Sequence, residues 1–441
     1  MVNEMVNASF YLQVHPLLKE RDYNKRKKYL NCIAFYSRNA TSRFSKAAIK
    51  LYETFFFDGK HYSPTPSPNI KGLFKYRYIL CLDIWFINAL NNRDAAEVLL
   101  NEMVEQSRTF WLCKAKIQQL FKRIYTNDHS VKFTELDTIL SVFEHDRNFL
   151  SKSIHTAVFT ANMSAGKSTL VNALVGKKVN KSQSMACTAK LHYILNKPLE
   201  DGFSAEDDNV LNLDADYNTL MTDDVGNDSQ SIIVSTYFRF LSGLNNPICF
   251  LDTPGVNSSL DHTHKAITDT EIGKNEFDVL VYVINADGGI ATEDEDTYLT
   301  QLSETAGKAN ILFVVNKIDC FRADEDNIAD SISKIADDVS RRGFVNPKIY
   351  PVSAYAGYLA KRMLFDNDLN EGEMDDYNLF RRNFMSEDYN LVGFYPKDAI
   401  DVCLRLIERE EDVRKKKAIQ MLLNCGILPL EIILKNSIGG M

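Results

Sequence analysis

No run in this 441-residue chain approaches 18 consecutive apolar residues, so no transmembrane helix is predicted. The opening M-V-N-E-M-V-N-A-S-F lacks the basic start and apolar core of a secretory signal. Eight cysteines are scattered without any C-x-x-C, which predicts reduced thiols in a cytosol-like compartment. The eight histidines form no zinc pattern; His262-Thr-His264 has ligand-like spacing but reads as an ordinary loop pair. There is no internal repeat, and residues 1–150 hold no catalytic constellation.

What is present is globular: 45% hydrophobic and 25% charged residues over a length that suits two or three domains. The net charge of −8 is unevenly spread. Residues 1–150 carry 22 Lys and Arg against 15 Asp and Glu, a balance of +7, which leaves −15 for the remainder. Two readings of that asymmetry stand. The N-terminal part meets a polyanion or an anionic membrane surface, or its basic residues are solvated helix faces. No nucleic-acid partner is expected.

Residues 1–150 read as a helical region. Lys19 to Lys28 is a charged stretch on a predicted helix, and Ser63-Pro64-Thr65-Pro66-Ser67-Pro68 cannot be helical. Tyr76 to Gln106 is apolar-periodic with an interruption at Asn91-Asn92. Leu136, Ile139, Leu140, Phe143 and Leu150 share one helical face. Residues 151–365 then alternate strand and helix, the pattern of an α/β fold with a mostly parallel sheet and flanking helices. Strands are predicted at Thr156–Phe159, Lys190–Leu195, Ser231–Phe240, Ile248–Leu251, Val279–Ile284, Ile311–Val315 and Lys348–Val352. Glu200 to Asp228 reads as an acidic insertion, a mobile loop or a partner contact, and Phe365 to Asn390 as an acidic loop. In the last part, 366–441, a helix is predicted over Pro396–Leu423. The apolar run Met421–Leu434, with its proline, is too short to span a bilayer; it is expected to dock on the sheet or to serve as a membrane or partner helix.

The chemistry sits at predicted strand ends, where ligands bind in such sheets. After the first strand comes the loop Asn162-Met163-Ser164-Ala165, then Gly166-Lys167-Ser168-Thr169 and a helical pattern. Backbone N–H groups and a helix N-terminus there can wrap a phosphate, with Lys167 on β/γ oxygens and Ser168 on magnesium. The usual pattern begins with a glycine, and here that position is Ala161. Asp252-Thr253-Pro254-Gly255 follows another strand: Asp252 can hold magnesium through water, and the Gly255 N–H can meet a γ-phosphate. Thr188, about twenty residues past Ser168, is placed to complete the magnesium shell. In Asn316-Lys317-Ile318-Asp319 the carboxylate can accept two N–H groups of guanine while the lysine stem lies over the base. Ser353-Ala354 can donate backbone N–H to the guanine carbonyl.

In this order the sequence resembles the P-loop GTPases, and within them the bacterial dynamin-like proteins. The closer resemblance rests on Ser164–Thr169, on Val171-Asn172-Ala173-Leu174-Val175-Gly176, on Cys187-Thr188-Ala189, and on Cys425-Gly426-Ile427-Leu428-Pro429-Leu430-Glu431, similar to the family's G-I-x-x-L-E at the end of the GTPase domain. It covers roughly residues 134–435. It implies a GTPase core over 151–365, an N-terminal helical domain over 1–150, and a segment 366–441 that completes the GTPase domain or forms a short stalk. Dynamin-like proteins continue past this point with a long helical stalk and a membrane-binding tip. Here few residues follow Glu431, so a stalk is expected from residues 1–150, from the Pro396–Leu423 helix or from another chain.

The reaction implied is hydrolysis of GTP to GDP and phosphate. Many small GTPases place the attacking water with a Gln after D-x-x-G; here that position is Val256. The resemblance implies instead a switch-loop threonine, Thr188, and a monovalent cation such as potassium held in part by Ser164. GTPase-face dimerisation with a second copy or a related chain would bring them into order. Two functional classes follow: a mechanochemical GTPase acting peripherally at the inner membrane surface, or a GTP-controlled binding module with slow hydrolysis and a protein partner. An ATPase ranks below both, because N-K-I-D disfavours adenine.

Overall fold

The computed structural model describes residues 7–57, 60, 62–162, 164–180, 191–207, 210–215, 231–253, 277–287, 289–290, 293–305, 310–322 and 327–439. The chain divides into two compact units. Unit 1 comprises Met1–Ser153, Lys197–Ala215 and Ser235–Tyr237, and unit 2 the remainder.

Unit 1 is built from α1 (Tyr23–Tyr36), α2 (Arg43–Phe56), α3 (Arg77–Ala89), α4 (Arg93–Gln106), α5 (Arg108–Leu112), α6 (Lys114–Thr126) and α7 (Asp137–Leu150). Short polar side chains start several of them: Asp22, Ser42 and Asn92 each accept a backbone N–H from the first turn. Asn92 thereby ends the Tyr76–Gln106 pattern as one helix and begins the next. Ile139, Leu140 and Phe143 of α7 are buried together with the ring-rich core around Trp85 and Phe86. At its centre Asp83 is fully buried, and its carboxylate accepts from Tyr11 Oη at 2.6 Å, Tyr52 Oη at 2.8 Å, His15 Nε2 at 3.0 Å and Tyr29 Oη. His15 Nδ1 accepts the Leu17 N–H, so Nε2 carries the proton. Four donors make this buried carboxylate tolerable and tie residues 11–15 to three helices.

The expected loop Glu200–Asp228 is corrected in part. Residues Phe203–Asp207 (β3) and Val210–Ala215 (β4) form an antiparallel hairpin. β4 packs against α2, and Leu211 and Leu213 join the unit-1 core. The alternation V-L-N-L-D-A was the strand signal, hidden in an acidic surrounding.

In unit 2 the strands β1 (His155–Ala161), β2 (Leu191–Asn196), β5 (Ser231–Thr236), β6 (Ile248–Asp252), β7 (Val279–Asn285), β8 (Ile311–Asn316) and β9 (Lys348–Pro351) lie in the order β5-β2-β6-β1-β7-β8-β9. The β6-β1-β7-β8-β9 run is parallel and β2 is antiparallel to β6. β5 ends at Thr236, shorter than the predicted Ser231–Phe240. Helices α8 (Lys167–Val175), α9 (Glu293–Thr305), α10 (Ile328–Arg341) and α11 (Ala354–Phe365) follow strands in turn. The second expected loop, Phe365–Asn390, is also corrected: Glu371–Phe384 is helix α12. Asn370 and Glu373 form a capping box at its start, and Tyr377, Phe380 and Phe384 are buried at helical spacing. The predicted Pro396–Leu423 helix is two, α13 (Lys397–Arg409) and α14 (Val413–Asn424), because Asp412 caps the second by accepting from the N–H groups of Arg414 and Lys415.

α14 and α15 (Ile427–Gly439) together hold the late apolar run, bent by 68° between them. The side chains of Met421–Leu434 are buried, and α15 packs on β1, β7 and α8. Docking on the sheet is what the structure shows for this run. Among the described residues no single helix is long and apolar enough to cross a membrane.

Candidate functional site

Parallel pairing of β6, β1, β7 and β8 sets their carboxyl ends side by side. The loop after β1 contains Asn162, Ser164, Ala165 and Gly166 and delivers Lys167 to the first position of α8. Ala161 needs no glycine, because it lies inside β1 opposite Val283. Left-handed backbone falls instead at Ser164 (φ +61°) and Gly166 (φ +82°). A Cβ at Gly166 would overlap Asn316 Nδ2, so this glycine answers both conformation and space.

Lys167 is buried and its ammonium pairs with Asp252 at the end of β6. Ser168 Oγ donates to the other Asp252 oxygen at 3.2 Å. Thr253 anchors this strand end, donating through Oγ1 to the Phe159 carbonyl at 3.0 Å. Asn180 Nδ2 also donates to Asp252, at 2.6 Å, and is held in turn by Asn172 and His192. Nothing in the spacing marked Asn172, Asn180 or His192 as supports of the aspartate; only the folded contacts reveal them.

The second half of the site is built on Asn316 at the end of β8. Its Nδ2 donates to the Ala165 carbonyl at 3.0 Å, and its Oδ1 accepts the Ala354 N–H at 3.0 Å. One side chain thus bridges the phosphate loop to the Ser353-Ala354 turn. Lys317 sits at φ +72°, and Asp319 accepts from the Ser353 hydroxyl, which also caps α11. Burial pushes the Asp319 carboxyl above the ordinary range against the opposing pull of that hydroxyl. A half-buried carboxylate with capacity for further N–H donors is what a guanine edge would satisfy.

A cavity of about 450 Å³ opens here, lined among others by Gly166, Thr169, Asn316, Lys317 and Asp319. That is a normal volume for a small-ligand site. Its outer wall was not legible in the sequence: Tyr355, Tyr358 and Arg362 from α11 and Glu373 from α12. The late Cys425–Glu431 segment supports the same turn. The Ser353 N–H donates to the Cys425 carbonyl at 3.0 Å, Gly426 (φ +82°) leaves room for Tyr395 beside Pro351, and Ile427 fills the space left by Gly357. Glu431 makes a fully buried ion pair with Lys361, whose Nζ also donates to the Leu174 carbonyl at the end of α8 at 2.6 Å.

The structure therefore brings together Asn162, Ser164, Ala165, Gly166, Lys167, Ser168, Thr169 and Asp252, and joins them to Asn316, Lys317, Asp319, Ser353 and Ala354. Met163, Thr188, Gly255 and Val256 lie outside the described residues, as do His262 and His264. Among the described residues no group of three or more His, Cys, Asp or Glu side chains could hold a metal ion. Ser168 and Asp252 do offer the hard oxygen donors that suit magnesium alongside phosphates.

Comparison with known proteins agrees with this geometry. Residues 158–318 match the model of the dynamin family. Dynamin-like protein A of Bacillus subtilis is 21% identical over 248 residues, 56% of this chain and 20% of that protein. A probable transmembrane GTPase, FZO-like and chloroplastic, of Arabidopsis thaliana is 27% identical over 206 residues, 46% of this chain and 19% of its own length. The chain spans about a fifth of the length of these curated relatives. Among solved structures, an oligomerised bacterial dynamin pair described as sensing and tethering membranes aligns at 17% identity and a TM-score of 0.38, covering 88% of this chain and 63% of its own. The dynamin-family match thus falls on residues 158–318, the stretch that carries the phosphate loop, Asp252 and Asn316.

Proposed function

We propose that this chain binds GTP with magnesium and hydrolyses it to GDP and phosphate, as a dynamin-like module that works peripherally at a cytoplasmic membrane surface through GTP-dependent pairing with a second copy or a related chain. The observation that carries the reading is the Asn316 bridge. It joins the loop that would cradle phosphates to the turn that would read guanine, with Asp319 half-buried beside it.

Hydrolysis of a phosphate anhydride asks the protein mainly for position and charge. Lys167 leaves Asp252 for the β/γ oxygens, and the N–H groups from Ala165 to Thr169 surround the phosphates. Ser168 and Asp252 would hold magnesium, joined by Thr188, and the ion would supply positive charge against that developing on the phosphate oxygens. Asp319 accepts the two N–H groups of guanine and the Lys317 stem covers the base. Ser164 projects from a strained, exposed loop position and supplies a hydroxyl to a potassium-sized cation. With valine at position 256, Thr188, ordered by a second GTPase face, would place the water.

The test is phosphate release from GTP against protein concentration, with potassium or caesium, and with or without anionic vesicles. Specific activity is expected to rise with concentration, to fall in caesium and in Ser164→Ala, and to increase with vesicles. Turnover that is flat across a hundredfold range of concentration and indifferent to cation and lipid would leave a slow, GTP-controlled binding module instead.

A further inference from the structure

The basic run Lys25-Arg26-Lys27-Lys28 was the natural place to look for an anion-facing surface, but the fold engages most of it. Arg26 donates to the carbonyls of Leu18, Glu20 and Phe56, Lys25 pairs with Glu20, and Lys27 lies over the rings of Tyr23 and Tyr62. The positive charge of unit 1 finds a better outlet elsewhere.

From Ser107 to Asn127 the sequence has five Lys and Arg and no Asp or Glu. The helices explain where they point. Phe110 is fully buried against Tyr36, which pins the one-turn α5. Its neighbours Trp111 and Leu112 are consequently turned to solvent, 62% and 63% exposed. α6 buries Ile117, Leu120, Phe121, Ile124 and Tyr125. That leaves Lys114 and Lys122, with Gln118 and Gln119, on its exposed side, while Lys116 lies over the rings of Tyr78 and Phe133. Arg108 is exposed at the start of α5. A large aromatic and a leucine therefore stand in water, on a stretch from Ser107 to Asn127 that carries cations and no acid, with Glu105 the nearest exposed acid before it.

We infer that the α5–α6 corner of unit 1 is a docking surface for an anionic lipid bilayer, with Trp111 and Leu112 entering the interface and Arg108, Lys114 and Lys122 meeting headgroups. Indole is favoured at the membrane–water boundary, where its body is apolar and its N–H stays wet. The net positive charge of the Ser107–Asn127 stretch matches a uniformly negative surface. Lysine stems also lie along apolar surface while their ammonium groups reach phosphate. The inference rests on the membrane reading proposed above and adds the residues that make the contact.

The chain carries its own reporter. It has two tryptophans, and the other, Trp85, is fully buried. The full-length protein is mixed with phosphatidylcholine vesicles, with or without about 30% phosphatidylglycerol, at low and high salt, and both emission and co-sedimentation are read. Only the anionic vesicles at low salt should shift Trp111 emission to the blue and make it quenchable by brominated acyl chains. Trp111→Ser with Leu112→Ser should lower partitioning at least about tenfold. Arg108→Ser, Lys114→Ser and Lys122→Ser together should lower it roughly a hundredfold, at about fivefold each, and flatten the salt dependence. Wild-type sedimentation that survives the Trp111/Leu112 change would overturn this anchor while leaving the membrane reading intact. No sedimentation of the wild type with any vesicle would overturn the membrane reading itself. A blue shift that grows with protein concentration in the absence of lipid would also overturn the anchor, in favour of a protein interface at Trp111.

Discussion

Replacing Gly166 by alanine probes the joint between the two halves of the nucleotide site. The residue sits at φ +82°, where an L side chain costs about 1–2 kcal/mol. The added Cβ also overlaps Asn316 Nδ2, so the Asn316 side chain must swing out. It then loses its bonds to the Ala165 carbonyl and the Ala354 N–H, both 3.0 Å. Two buried bonds of about 1 kcal/mol each bring the expected loss to roughly 3–4 kcal/mol. Asn316→Ala removes those same bonds and should cost about 2 kcal/mol. The double variant has no overlap to relieve and no bonds left to lose. It should therefore cost about what Gly166→Ala costs alone, roughly 2 kcal/mol less than the sum. Urea denaturation of the four proteins gives the cycle, read on the transition that added GDP shifts upward. Additivity within about 0.5 kcal/mol would show that Gly166 and Asn316 are not coupled, and would refute the bridge as the joint.

Two further predictions follow from buried charges. Lys167→Ala should abolish GTP hydrolysis and weaken triphosphate binding by at least about tenfold, since charge-assisted bonds are worth roughly 1.5–3 kcal/mol each; parental turnover by the purified variant would contradict the phosphate-loop assignment. Glu431→Leu should cost about 3–5 kcal/mol because it strands Lys361 in a dry site, whereas adding Lys361→Met should restore most of it, short of the bond to Leu174; a double variant no more stable than the single one in the same denaturation assay would contradict this.

The sequence was most legible where function concentrates chemistry at strand ends. Lys167, Asp252, Asn316, Asp319 and Ser353 were each readable from their neighbours, because a phosphate, a metal ion and a base demand particular groups there. What held those groups was not readable. Asn180 and His192 act on Asp252 only once β2 lies antiparallel to β6, and no local pattern announces that pairing. The β3–β4 hairpin was masked by acidic composition, although Leu211 and Leu213 alternate with polar residues. Helix α12 was masked in the same way, although Asn370 and Glu373 spell its capping box. The motif around Gly426 and Glu431 could be matched by eye. Its physical role, support for the Ser353 turn and for the end of α8, appears only in the packing of α15 against α11.

The most direct test of the account is the nucleotide preference of Asp319→Asn. Guanine offers the aspartate an N1–H and a 2-amino group, while xanthine presents a carbonyl where that amino group stood, to which an asparagine amide can donate. A site built on specific hydrogen bonds rejects the mismatched base strongly, on the order of 10⁴-fold. Labelled GTP is competed with XTP on both proteins. The wild type should prefer GTP, and Asp319→Asn should prefer XTP while still releasing phosphate from it. An unchanged preference for GTP in the variant would contradict the assignment of this cavity as the guanine site, and with it the reading of the chain as a GTPase.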